Sequence, residues 1–266
     1  MRPSTRIVVL NSKKYALDLI SAVAATAYSL RRLYASYTGA AIRVRRSSDN
    51  AERDIGFIGE HLDLFSLFTF VGSGNGFATT WYDQSGNGRH VSQATTANQP
   101  TYQATGLNNK PALHFNGGDF FNNISVSLPL FSVSLVETAT QNTNVIYYPV
   151  GFGLGGISVG GSYFSQKFAI NGSNSLVTTE NSVLNAPTIV FAGSDNLGCQ
   201  IAVNGNAPAT DLTAQSITQI SIGRRSDGFW PFFGSISEVI FFPSLLSTTA
   251  RKTLERNQGI YFDISI

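Results

Sequence analysis

Charge is scarce in this chain: Asp, Glu, Lys and Arg together make up 13% of its 266 residues. A sequence so poor in charge is neither a disordered segment nor a helical bundle, both of which rely on abundant charged side chains. Cysteine is nearly absent. Cys199 stands alone, which excludes an internal disulfide framework and leaves the redox compartment open. The three histidines, His61, His90 and His114, have no zinc-ligand spacing and sit in no nucleophile motif. No run approaches the roughly 20 apolar residues needed to cross a bilayer. The stretch KKYALDLISAVAATA has the outline of a secretory leader, but Asp18 interrupts its apolar run and it begins only at Lys13. We read it as retained sequence.

What the chain has in quantity is glycine, 25 residues, and phenylalanine, 19 residues. This composition fits a turn-rich β protein, and the length suits one sandwich with a substantial core. The net charge of +2 hides an asymmetry. Residues 1–53 carry ten Lys/Arg against three Asp/Glu, about +7, which leaves about −5 for the remainder. Such a leading segment can meet an acidic partner or neutralise the acidic body of its own fold or of a neighbouring copy. No basic run is interleaved with aromatics, so nucleic acid is not the expected partner.

Residues 27–38, AYSLRRLYASYT, place Leu30, Leu33, Tyr34 and Tyr37 at helical spacing, with Gly39 as a stop. In AAIRVRRSSDN, Ile42 and Val44 alternate with Arg43 and Arg45, the mark of a half-buried strand. From about residue 64 onward, short strands alternate with turns rich in glycine or asparagine. LFSVSLVETA sets Phe131, Val133 and Leu135 on one face and Ser132 and Ser134 on the other. GSISEVIFF closes the series. A last helix is predicted from an N-cap at Ser247, with Leu254 inward and Gly259 as its stop. The expected fold is an all-β, two-sheet antiparallel jelly-roll sandwich with a short helix near each end. Residues 1–26 are expected to form an attachment arm and residues 27–266 the sandwich.

Four stretches, in order, carry a resemblance: AYSLRRLYASYTGAAIRVRRSSDNAERDIGF, GFATTWYDQSGNGRHVSQATTANQPTY, KPALHFNG and FFGSISEVIFFPSLLS. Together they resemble concanavalin A-like, laminin-G-like jelly rolls common in phage and bacterial surface proteins. The first two also look like the catalytic sandwich of fungal α-L-arabinofuranosidases. The resemblance covers residues 27–260 in segments and is densest before residue 120. It implies that TTWYDQSGNGR is a strand followed by a tight turn, in which Gly86 and Gly88 take positive φ. Asp83 and Asn87 can then bond the turn's own amides. The same two residues are the weak candidates for a metal, Ca2+ if any. A calcium loop would want a carboxylate at its twelfth position, where Ala94 stands, and flanking helices.

The arabinofuranosidase resemblance implies two carboxyl groups, a nucleophile near VGFGLGGISVGG and an acid/base near SIGRRSDGFW. No Asp or Glu occurs from residue 138 to residue 179, with Glu137 and Glu180 at its borders. In the second stretch the aspartate position falls on or beside Arg224 and Arg225, and guanidinium groups do not serve as general acids. The expectation is therefore a non-catalytic protein without catalytic residues or cofactor. It would be a phage virion component, such as a head decoration, fibre or tail protein, with a lectin-like sandwich able to bind host glycans. A free-standing carbohydrate-binding module is the alternative, and a glycoside hydrolase of arabinofuranosidase type comes third. Candidate glycan contacts are Arg224, Arg225, Asp227, Trp230 and Tyr163. Arg2, Arg6, Lys13 and Lys14 would anchor the arm to other virion proteins. The protein is expected in many copies or as a homo-oligomer on a virion, or otherwise at a cell surface.

Overall fold

In a computed structural model the protein is described over residues 15–141, 147–152, 155–159, 167–171, 175–181 and 183–266. Two antiparallel sheets face one another across an apolar core, as the alternating pattern predicts. The chain begins with β1 (Thr26–Ser29), β2 (Ile42–Arg46) and β3 (Glu52–Ile55). The ribbon β4 (Phe57–Ile58) and β5 (His61–Leu62), helix α1 (Leu64–Val71), β6 (Gly76–Trp81) and β7 (Val91–Ser92) follow. β8 (Thr101–Leu107) and β9 (Lys110–Asn116) form a hairpin, β10 (Phe121–Leu128) crosses to the second sheet and β11 (Phe131–Ala139) returns. Then β12 (Tyr147–Phe152), β13 (Gly155–Val159), β14 (Lys167–Asn171) and β15 (Ser175–Asn181) run as a meander. β16 (Thr188–Asp195), β17 (Gly198–Val203) and β18 (Ala209–Asp211) extend the first sheet. β19 (Ile217–Ile222), β20 (Phe233–Phe242) and helix α2 (Thr248–Phe262) complete the chain.

The larger sheet runs β18-β17-β16-β11-β20-β9-β8-β6-β2-β3, with β1 also on β20 and β7 on β6. The second sheet runs β10-β19-β12-β13-β14-β15. β11 and β20 lie at the centre and are buried on both faces, because α2 covers the outer side of the larger sheet. Phe131, Val133 and Leu135 point into the core as their alternation requires. The intervening serines meet polar partners outside it: Ser134 Oγ donates to Gln258 Oε1 on α2 at 3.0 Å, and Ser132 Oγ accepts from Leu246 N at 2.8 Å. A serine on that face is thus a satisfied group beneath a helix.

The helix expected over residues 27–38 does not form. Its first residues are β1, paired with β20 from Thr26 opposite Phe241 to Ser29 opposite Glu238. The reason lies in Gln84, whose buried amide donates to Ser29 O and Arg31 O and accepts from Leu33 N. One side chain therefore satisfies three backbone groups that a helix would have paired internally. Arg31 is then sealed beneath α2 and bound through Nε to Glu238 Oε2 at 2.7 Å. Residues 15–26, placed in the arm by sequence, pack into the body: Tyr15, Ala16, Leu17, Ala24 and Ala25 are buried, and Ala25 N donates to Phe241 O. Arg2, Arg6, Lys13 and Lys14 lie outside the described residues.

Residues 64–71 form α1 where strands were expected. Asp63 caps it by accepting from Ser66 N at 2.9 Å and from Ser66 Oγ at 2.6 Å, and Gly72 ends it at a φ of 64°. In consequence GSGNGF, residues 72–77, leads from a helix into a strand. Ser247 does cap α2, accepting from Ala250 N, but Gly259 does not stop it. Asp263 ends the helix in the left-handed region, and Gly259 lets the tail fold back: a Cβ there would lie 2.8 Å from Ile264 O.

Candidate functional site

At one end of the sandwich, the chain passes four times between the sheets, twice in each direction. β9 leads to β10, β11 to β12, β15 to β16 and β19 to β20. Registers align their ends. Asn116 is opposite Phe233, Ala139 opposite Gly234 and Glu137 opposite Thr188 in the larger sheet. In the second sheet Phe121 and Val150 flank Ile222, Tyr147 and Phe168 flank Val159, and Asn181 faces Lys167. Each handover brings one carboxyl residue to this end: Asp119 between β9 and β10, Glu137 near the end of β11, Glu180 next to last in β15 and Asp227 between β19 and β20. They are far apart in sequence and share an end only because of the crossovers.

Their environments differ. Glu137 is buried on the core side of β11, and neither carboxylate oxygen has a hydrogen-bond partner among the described residues. Burial pushes its pKa up to about 8. Asp119 accepts from Asn116 N at 3.0 Å, and burial raises it to about 6. Asp227 goes the other way. Arg225 Nε donates to its Oδ1 at 2.9 Å in a two-pronged ion pair, which holds the carboxyl below the usual range. One end of the molecule thus contains carboxyls driven toward the protonated form and one held ionised.

The loop between β19 and β20 is held by its own backbone: Arg225 N donates to Phe229 O, Gly228 N to Arg225 O and Phe232 N to Gly223 O. Ser221 Oγ donates to Arg224 O, and Asn123 Nδ2 on β10 donates to Ser226 O. The structure brings Arg224, Arg225, Asp227 and Trp230 together in this loop. Arg225 lies 5.8 Å from the ring centres of both Trp230 and Tyr148, and Arg224 lies 3.2 Å from that of Phe120. Phe229 and Trp230 are exposed, whereas Phe232 is buried against Phe115. Trp230 sits at a φ of 58°, a region a bulky residue enters at a cost of about 1 kcal/mol. Tyr163 lies outside the described residues. The composition of GRRSDGFW points to this loop; Asp119, Phe120 and Asn123 had no signal beyond an ordinary turn, and only the topology brings them here.

The loop of Asp83 lies elsewhere and is a turn. Asp83 accepts from Ala27 N, Ser85 N, Ser85 Oγ and Arg89 N, so four protein donors occupy its oxygens. Asn87 Nδ2 donates to Ala24 O and Ala25 O, and Gly86 and Gly88 take positive φ. The histidines are structural as well: His90 Nδ1 accepts from Asp83 N, His61 stacks on Tyr261, and His114 lies 3.4 Å from Ser235 Oγ.

Residues 15–116 match the family model described as alpha-L-arabinofuranosidase B, catalytic. No curated protein matches the chain. An arabinofuranosidase complexed with arabinofuranosyl-α-1,2-xylobiose superposes with a TM-score of 0.73 at 16% identity, over 91% of this chain and 64% of that one. A GH54 α-L-arabinofuranosidase soaked with a cyclic sulfate inhibitor superposes at 0.71 and 17% identity, with the same coverage. Trypanosoma rangeli sialidase in complex with the inhibitor DANA reaches 0.52 at 14% identity, over 71% of this chain and 32% of that one. The chain therefore has the arabinofuranosidase sandwich fold and spans about two thirds of the length of those two enzymes.

These findings correct the sequence expectation. The family match is to a catalytic domain, and it overturns the reading as a non-catalytic phage virion component, with the host-adsorption role attached to it. No support exists for a phage laminin-G-like assignment, whereas the arabinofuranosidase side of the resemblance stands.

Proposed function

We propose that the chain is the catalytic sandwich of a glycoside hydrolase of arabinofuranosidase type, cleaving α-L-arabinofuranosyl groups from a glycan. The observation that carries this reading is the match of residues 15–116 to the arabinofuranosidase B catalytic domain. What further supports it is that the order of strands brings Asp119, Glu137, Glu180 and Asp227 to one end of the sandwich. Retaining cleavage needs two carboxyls roughly 5 Å apart: one ionised, to attack the anomeric carbon, and one protonated, to give its proton to the departing oxygen. Water then attacks the glycosyl-enzyme bond, returning its proton to the second carboxyl and freeing the first. Groups pushed to opposite protonation states suit this division of labour. Glu137 and Asp119 lie on the protonated side and Asp227 on the ionised side.

Purified protein is expected to release 4-nitrophenol from 4-nitrophenyl α-L-arabinofuranoside with saturable kinetics. The alkaline limb of kcat/KM should fall near pH 6 if Asp119 is the acid and near pH 8 if Glu137 is. Turnover no faster than the buffer blank on this substrate would overturn the proposal.

A further inference from the structure

We infer that the loop of residues 223–232 forms a subsite for a carboxylated sugar, a uronic acid unit of the glycan, with Arg224 as its anion contact and Trp230 as its stacking platform. The inference rests on the glycoside hydrolase reading and names the class of sugar that the site accepts beside the cleaved group.

The two arginines of this loop are not equivalent. Arg225 is fully engaged by Asp227 and lies beside Tyr148 and Trp230. The Arg224 side chain has no hydrogen-bond or ion-pair partner among the described residues, and its Nε is buried without one. Its guanidinium carbon lies 3.2 Å from the ring centre of Phe120, and the counter-charge that acts on it, Asp227, is already bonded to Arg225. Desolvating a cation whose counter-charge is shared is costly, and an incoming carboxylate offsets that cost through charge-assisted hydrogen bonds. The main chain fixes the group, since Ser221 Oγ donates to Arg224 O at 2.6 Å. Gly228 leaves room beside it: a Cβ there would stand 3.6 Å from Arg224 Nη1.

In the same loop, 5.8 Å from the Arg225 guanidinium, stands the Trp230 ring, held in an unfavourable backbone conformation. Trp230 is 37% exposed and Phe229 67% exposed, although the core lies only two residues away at Phe232. Ring and cation together match a pyranose that carries an apolar C–H face and a carboxylate. A neutral sugar would use the ring and leave the guanidinium unmatched.

The full chain is titrated with D-glucuronate, D-glucose and acetate, following tryptophan fluorescence; Trp81 is fully buried and Trp230 is the solvent-facing reporter. Glucuronate is expected to bind at least about tenfold more tightly than either glucose or acetate. Arg224→Gln should bring glucuronate to the level of glucose, Arg224→Lys should restore part of the preference, and Trp230→Ala, followed by calorimetry, should weaken both sugars alike. Equal binding of glucose and glucuronate would overturn the inference, as would a preference that survives in Arg224→Gln. Acetate binding as tightly as glucuronate would overturn it too, by showing a plain anion site. Hydrolysis of the neutral 4-nitrophenyl arabinofuranoside is followed in parallel. Hydrolysis without uronate preference sinks this inference alone, and preference without hydrolysis sinks the hydrolase reading instead.

Discussion

Glu137 is a buried carboxyl whose two oxygens have no hydrogen-bond partner among the described residues. A carboxyl with no partner in an apolar core is costly when ionised, so the folded chain keeps its proton up to about pH 8, while an unfolded chain releases it near its ordinary value of 4.5. Below 4.5 both states are protonated and the group is neutral for stability. Between 4.5 and 8 only the unfolded chain gives up the proton, so stability falls as pH rises through that window and levels off above it. The accumulated cost is on the order of a few kcal/mol. Glu137→Gln should therefore raise the melting temperature relative to wild type at pH 8 to 9 and leave it nearly unchanged at pH 4.5. A variant no more stable than wild type at the higher pH would show that Glu137 has found a partner.

At the scale of elements, Gln84 decides the course of residues 27–33. Gln84→Leu would leave Ser29 O, Arg31 O and Leu33 N without their partner, a loss of about 2–4 kcal/mol. Chemical denaturation should show this as a lower midpoint with an unchanged slope; a midpoint within about 0.5 kcal/mol of wild type would mean that water or a neighbour replaces the amide. The same residue explains why this stretch was misread. Leu30, Leu33, Tyr34 and Tyr37 do recur at helical spacing, and nothing local announces that an amide 50 positions away outbids the helix. Residues 64–71 failed for the opposite reason: their Phe and Val content resembles a strand, while the cap from Asp63 to Ser66 was the overlooked signal. Strands with strict alternation, such as β11 and β20, were legible because period-two burial is a local property. The turn after Trp81 was legible through its glycines. The meeting of Asp119, Glu137, Glu180 and Asp227 was not, since it depends on the order of strands in two sheets, which no local pattern encodes.

For the whole molecule, the proposed hydrolase activity rests on four crossovers that bring carboxyl residues to one end of a sandwich fold shared with arabinofuranosidases. Fold alone does not confer that chemistry, which must reside in particular side chains. The scaffold is braced on the outer side of the larger sheet. Arg31, Glu238, Asn257 and Gln258 join β20 to α2 through buried polar contacts that include the Arg31–Glu238 ion pair. The most direct measurement is kcat on 4-nitrophenyl α-L-arabinofuranoside for Asp119→Asn, Glu137→Gln, Glu180→Gln and Asp227→Asn, each checked for folding by its melting curve. Two of the four are predicted to lose about a thousandfold or more in kcat while remaining folded. Activity kept within about tenfold of wild type by all four variants would contradict the account.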